Sequence, residues 1–435
     1  MKILKSCSVL ILLILALNVA FGMVTNSNQS AEYIRMLNRN ASVDIDAVLF
    51  NPAGLTKLDD GMHLYLSSQT IWQSREVRTK FPNYNSQKFT GLTFVPAFPN
   101  AYLAYKKDKL AFSAGLIPIG GGGSAEFDEG LPSFDYQLAR LVGLPAGQVS
   151  EALDPYGNIT GYSVNTSFNG SSIYFAGQAG VSYALNDMVS LAVAARYIYA
   201  LNTYGGSLSN SVLEAENGDI SGFIPDLNVD SKRTGSSYTG IIGLNLSPID
   251  GLNIGLRYEH MTKLEIVSDT KEDGTIILDG IGMFPDGVTY HADIPGQIGA
   301  GISYQLSPKL KASSSFNYFM NTQCDWDGKE EFVNNDFDIG LGIEYNVSPA
   351  LTASLGYLFS TTGAMEEYQS DQDFSLAANA ISGGIKYALS PKMVISLGAL
   401  NSFYIEGQND DAGTIYEEKY MKTAFLIAAG FHYRF

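Results

Sequence analysis

The chain has 435 residues, 46% of them apolar and only 16% charged, with 44 glycines, 26 tyrosines, 23 phenylalanines and a formal net charge of −17. That acidity excludes nucleic acid as a partner, because a phosphate-binding surface needs clustered Lys and Arg; it suits a solvated outer face instead. Of the two cysteines, Cys7 falls in a leader, so Cys324 alone would remain, which excludes an intramolecular disulfide and a multi-cysteine metal centre.

Residues 1–22 read as a secretory signal peptide. Lys2 and Lys5 give the positive start, Val9 to Val19 form a short apolar run, and Ala20, Phe21 and Gly22 put small residues at the cleavage point. No later segment supplies the roughly 20 uninterrupted apolar residues of a spanning helix. Residues 23–60 lack a sustained strand pattern. Tyr33 to Leu37 suggest a helical turn, and the stretch closes on Asn51, Pro52, Ala53, Gly54 and Leu55, where Pro52 fixes the backbone and removes a donor.

From Met62 onward the period is two. Phe337, Ile339, Leu341, Ile343 and Tyr345 alternate with Asp336, Asp338, Gly340, Gly342 and Glu344; Leu252, Ile254, Leu256 and Tyr258 alternate with Asn253, Gly255, Arg257 and Glu259. Alternation places one set of side chains on each face of a strand. The pattern recurs fourteen times, at 62–72, 90–104, 109–118, 171–184, 189–201, 236–247, 251–264, 294–305, 309–320, 336–346, 350–360, 374–388, 392–404 and 422–435. Short turns such as those in YQLSPKL and YNVSPAL alternate with long polar connections near 73–89, 119–170, 202–235, 265–293, 321–335, 361–373 and 405–420. Short turns on one rim, long loops on the other and an even strand count describe an outer-membrane β-barrel, all-β and antiparallel, with both termini on the periplasmic side. Closure removes sheet edges that lipid would not tolerate. The ending Phe431-His432-Tyr433-Arg434-Phe435 resembles the C-terminal signal read by the outer-membrane insertion machinery, with Phe435 as the aromatic last residue. A barrel of fourteen strands encloses a lumen that its own side chains do not fill, and residues 23–60 are long enough to fold back into it. The domain reading is therefore signal peptide 1–22, hatch 23–60 and barrel 61–435.

This combination resembles the FadL/TodX family of outer-membrane transporters for hydrophobic compounds. The residues that carry the resemblance are Asn51, Pro52 and Ala53, extended here by Gly54 and Leu55, and LIPIGGGGSAEFDEG at 116–130. By resemblance, Asn51 to Gly54 form the gate of an N-terminal hatch, and Pro118, Gly120, Gly121 and Gly122 kink the third strand to open a gap in the wall. Ligand would then pass from outer loops to bore and sideways into outer-membrane lipid. Pro lacks a donor and Gly a packing side chain, so both weaken strand pairing.

Other features have competing readings. Gly120 to Gly123 are followed by no GK[ST] and so make no phosphate loop; they root a flexible loop or form the lateral gate. Residues 133–142 read as a helix that either caps the barrel or packs within a loop. Asp325 with Asp327, and Asn334, Asn335 and Asp336, offer hard oxygen ligands but lack the spacing of a calcium loop. His63, His260, His291 and His432 are scattered. Arg196, Arg257 and Arg434 fall on the lumen-facing phase, for a ligand carboxylate or for structural Arg–Glu networks. The expectation is a monomeric transporter of long-chain fatty acids or other hydrophobic molecules by passive, ligand-gated diffusion in a Gram-negative outer membrane. It has no catalytic residues, cofactor or metal. A general porin and, less so, a barrel lipase are the alternatives.

Overall fold

The computed structural model describes residues 30–80, 86–141, 157, 159–275, 282–410 and 417–435; the leader and residues 23–29 lie outside them. Fourteen antiparallel wall strands follow in chain order: β1 Gly61–Thr79, β2 Lys88–Lys107, β3 Leu110–Phe127, β4 Ile159–Ala184, β5 Val189–Ala215, β6 Leu227–Leu246, β7 in two pieces (Leu252–Glu259 and Glu265–Asp273), β8 in two pieces (Thr289–His291 and Gly296–Ser307), β9 Leu310–Met320, β10 Asp336–Asn346, β11 Leu351–Ser360, β12 Ala378–Ser390, β13 Met393–Tyr404 and β14 Glu418–Arg434. β1 pairs with β2 on one side and with β14 on the other, His63 opposite Arg434 through Thr79 opposite Glu418, so the sheet closes on itself. The outer face carries Leu66, Trp72, Phe112, Leu341, Ile343 and Leu355 exposed, while Gln69, Gln178, Arg196, Arg257 and Glu344 are buried on the inner face. Apolar outside and polar inside is the distribution that lipid imposes on a barrel.

Several boundaries differ from the sequence reading, β1 running on to Thr79 and β6 starting at Leu227 among them. β4 and β5 are 26 and 27 residues long, whereas 9–11 residues cross a bilayer; their outer parts, 159–170 and 202–215, stand beyond lipid, where neither face must be apolar. Polar residues there had read as loop. β7 is broken at 260–264 and resumes through 265–273, a stretch expected in a loop. β3 runs on through its glycines to Phe127 rather than ending at Pro118. The expected helix is present as Pro132–Leu141, and its last predicted residue lies outside the described residues.

Residues 30–57 thread the bore and are almost wholly buried. They form two helical turns, Ala31–Ile34 and Ala47–Phe50, and a 3-10 helix, Pro52–Lys57. The wall admits their backbone through lumen-facing glycines. A Cβ on Gly255 would lie 2.0 Å from Asn40 O, on Gly340 2.3 Å from Leu37 O, and on Gly356 2.1 Å from Met36 O. Real Cβ atoms do not approach a carbonyl so closely, so these positions require glycine or a displaced segment. Gly356→Leu should therefore leave a heat-modifiable folded barrel on gels but raise ion conductance in planar bilayers. Unchanged conductance would show that the segment does not depend on this contact.

Candidate functional site

The threaded segment begins with charge. Arg39 forks onto Asp46 (Nε to Oδ2 2.6 Å, Nη2 to Oδ1 2.8 Å) and Nη2 also donates to Ser42 Oγ (2.9 Å) and Asp44 Oδ2 (3.0 Å). Arg35 donates to Glu32 within the segment (2.8 Å) and to Glu344 on β10 (2.7 Å). Lys386 of β12 reaches Asp44 (3.0 Å), and Lys311 of β9 reaches Glu344 (2.5 Å). A buried pair of this kind is costly to break because it strands one charge away from water, about 3–5 kcal/mol for removal of one partner. The ions thus fix the segment's position in the bore more than they add stability.

The predicted gate residues lie at the end of this segment. Asn51 Nδ2 donates to Ser42 O (3.0 Å) and to Asn245 Oδ1 on β6 (2.7 Å). Pro52 opens the 3-10 helix, where its missing N–H costs nothing, and its carbonyl accepts from Ser182 Oγ on β4 (2.7 Å). Ala53 is fully buried, and a Cβ on Gly54 would meet Ser42 O at 2.3 Å. Each residue of the motif is therefore used in packing the segment against itself or the wall.

Pro118, Gly120, Gly121 and Gly122 lie on β3, where the wall opens on one side. β2 pairs with β3 at Gly91–Phe127 and Leu92–Glu126, and again only from Ala101–Leu116 inward. Between these points 93–100 and 117–125 share no ladder. Pro96 and Pro99 on β2 and Pro118 on β3 cannot donate. The opposite edge of β3 stays paired with β4 through bulges at Pro118/Gly120 and Gly121/Gly123. Gly121 adopts φ +91°, and a Cβ there would stand 2.1 Å from Ser172 O, so the bulge needs glycine.

The structure brings these two regions together. Ile117 and Ile119, at the inner end of the break, pack in one buried cluster with Val48, Leu49 and Phe50 of the threaded segment. Gln178 Nε2 on β4 and Arg257 Nη1 on β7 hold that turn by donating to Val48 O (2.6 Å) and Leu49 O (2.6 Å). Arg196 pairs with Glu259 and donates to Gln178, while Arg434 pairs with Asp59 at the rim; all three lumen-phase arginines are engaged in structural networks. On the outer side of the segment lies an apolar cavity of about 60 Å³, lined by Leu37, Ile71, Phe98, Leu400 and Leu426 and reaching Gly121. Phe98 and Gly121 belong to the two unpaired edges, so the cavity abuts the break.

Sequence reasoning missed the cations above this cavity. Arg75 and Lys422 stand directly opposite one another on β1 and β14, one same-face step beyond the cavity residues Gln73 and Ala424. Arg75 Nε and Nη2 are buried without a hydrogen-bond partner. Its guanidinium lies 4.2 Å from the Phe374 ring centre, and Lys422 Nζ lies 4.9 Å from that of Tyr404. An acidic total and an Arg within a polar-reading loop gave no signal for this pair.

No family model matches the chain, and no curated protein matches it. Solved structures do. A Pseudomonas aeruginosa FadL homologue is similar over 94% of this chain and 99% of its own, with TM-score 0.67 and 14% identity. The P. putida toluene transporter TodX is similar over 90% and 94%, with TM-score 0.58 and 12% identity. The Ralstonia pickettii toluene transporter TbuX is similar over 90% and 94%, with TM-score 0.55 and 16% identity. At such identities the likeness establishes a common fold, the one the sequence resemblance implied.

The charge network makes the segment's seating pH-dependent. Burial opposes ionisation of Glu32, but Arg35 and then Lys386 and Arg39 hold its carboxyl down to about 2; Lys386 holds Asp44 well below the usual range against burial. Folded-state values below the unfolded ones mean stabilisation that is full above about pH 4.5 and lost as pH falls toward 2. Conductance of the reconstituted barrel should be flat from pH 7 to 5 and rise on further acidification. A rise already complete by pH 5 would contradict this assignment.

Proposed function

We propose that this chain, which shares the fold of the FadL and TodX channels, is an outer-membrane transporter of hydrophobic molecules by passive diffusion. Residues 23–60 act as a hatch, with Asn51 to Gly54 as its gate, and the β2–β3 break near Pro118 and Gly120 is the lateral exit. The observation that carries this reading is the apolar cavity that ends at the break. An apolar cargo is favoured by about 25 cal/mol for each Å² kept from water, so a path from apolar cavity to bilayer avoids the aqueous space beneath. A polar-solute porin needs an open bore, and here the bore is threaded by residues 30–57. A lipase needs a Ser–His pair; among the described residues the histidines bond to His63/His432, Asp59, Tyr258 and Asp327 instead.

Within that class we favour long-chain fatty acids over plain hydrocarbons. Arg75 and Lys422 place two cations at the outer end of the cavity. Asp373 acts on both and Asp371 also acts on Arg75, but Arg75 Nε and Nη2 still lack an acceptor, which a ligand carboxylate would supply. Movement of the hatch must come from a difference in ligand affinity between two states, since passive uptake has no other source of work.

A charge-assisted hydrogen bond contributes about 1.5–3 kcal/mol, so Arg75→Gln with Lys422→Gln should weaken binding of a long-chain fatty acid by at least roughly tenfold. Binding of the matching alkane should be unchanged. Gly120→Trp should leave binding intact and abolish uptake into liposomes. Equal loss for acid and alkane would remove the carboxylate reading, and undiminished uptake in Gly120→Trp would remove the lateral exit.

A further inference from the structure

The transport reading leaves the Asp325/Asp327 pair and one histidine unused, and the fold brings them together. His291 ends the short outer piece of β8, and the aspartates lie in the loop after β9. His291 Nδ1 is 2.7 Å from Asp327 Oδ1 and 3.9 Å from Asp325 Oδ1, and donor atoms of all three residues lie within 4.8 Å of one another. The aspartate pair was visible in the sequence, but His291 lies 36 residues before Asp327, so no spacing motif joined it to them.

The side chains are aimed from behind. Trp326, between the two aspartates, is fully buried and its indole N–H donates to Asp293 O (2.8 Å). Asp327 Oδ2 accepts from His291 N (3.0 Å), which turns Oδ1 toward the imidazole; Asp325 N donates to Asp293 Oδ2 (3.2 Å). Glu330 Oε2 accepts from Trp326 N (2.9 Å) and Gly328 N (3.0 Å), so a further carboxylate closes the same loop, and Glu265 acts on His291 from β7. Among the described residues, none of Glu265, Asp293, Asp325, Asp327 and Glu330 is ion-paired to Lys or Arg. His291 alone offsets them. One imidazole nitrogen and two carboxylates from separate elements, in a field of excess negative charge, form a chelating set rather than a mere acidic patch.

We propose that His291, Asp325 and Asp327 bind a divalent transition-metal ion of the Zn²⁺ type, with water completing its coordination. Imidazole favours Zn²⁺ and its neighbours in the first row, whereas Mg²⁺ and Ca²⁺ prefer oxygen alone. The ion would fasten the loop after β9 to the outer piece of β8, beside the breaks at 260–264 and 292–295, which the Thr262–Ile294 bridge spans.

The test uses the full chain, refolded in detergent and stripped with chelator, with Trp72→Phe so that Trp326 is the only tryptophan. Zn²⁺ titration should give one site per chain and a change in Trp326 emission, with little response to Mg²⁺ or Ca²⁺. His291→Ala and, separately, Asp327→Asn should each lower affinity at least tenfold, while His260→Ala should not. Retained heat-modifiable mobility on gels separates a lost ligand from a lost fold. No binding at 100-fold excess over protein, binding indifferent to both variants, or an equal response to Ca²⁺ that survives His291→Ala would each overturn the proposal.

Discussion

A wall of fourteen strands encloses more space than its own inward side chains can fill, and the rest of this structure answers that constraint. The filler is the chain's own N-terminal segment, and it fits because the wall surrenders side chains where the two backbones meet. Gly255, Gly340 and Gly356 let carbonyls of Asn40, Leu37 and Met36 lie against the strands. Asn40 then bonds across to Ala300 O (3.2 Å), Phe316 O (3.0 Å) and Asn317 Oδ1 (2.8 Å). Small wall residues and amide side chains thus seat the segment without the volume an apolar core would need.

Once the bore is filled, charge decides how firmly. Arg35 and Arg39 are satisfied partly within the segment and partly by the wall, through Glu344 and through the Asp44–Lys386 pair. A segment held by apolar packing alone could settle in several registers, whereas stranded buried ions penalise every register but one. The side facing β2 and β3 is different. There the contact between Val48 and the Ile117/Ile119 pair is apolar, and it lies next to the stretch where β2 and β3 share no ladder. Ions anchor one flank, and an apolar contact faces the break.

Much of this was legible in the sequence, and what was not has physical reasons. The fourteen strands were readable because lipid forces one face to be apolar, as in Leu341, Ile343 and Tyr345. Beyond lipid that force lapses, so the outer parts of β4 and β5, rich in Ser, Asn and Gly, read as loop. Gly340 and Gly342 were visible as the lumen-facing phase of a strand, but alternation alone does not say that a backbone lies on them. Asn51 to Gly54 and Pro118 to Gly122 stood out locally because Pro and Gly alter backbone options. That the β3 break opens toward β2 and not β4 depends on Pro96 and Pro99, which belong to a different strand. Arg75 with Lys422, and His291 with Asp325 and Asp327, are pairings across long sequence separations, and a pattern of period two carries no information about them.

The central claim is that the bore is shut to water-soluble molecules yet open sideways to apolar ones. Liposomes carrying the native protein, given a labelled long-chain fatty acid beside a small labelled sugar, test it most directly. The account predicts protein-dependent accumulation of the fatty acid with no sugar flux above that of empty vesicles. Sugar entering at a rate comparable to the fatty acid would contradict it, because a threaded bore with a lateral exit offers the sugar no path.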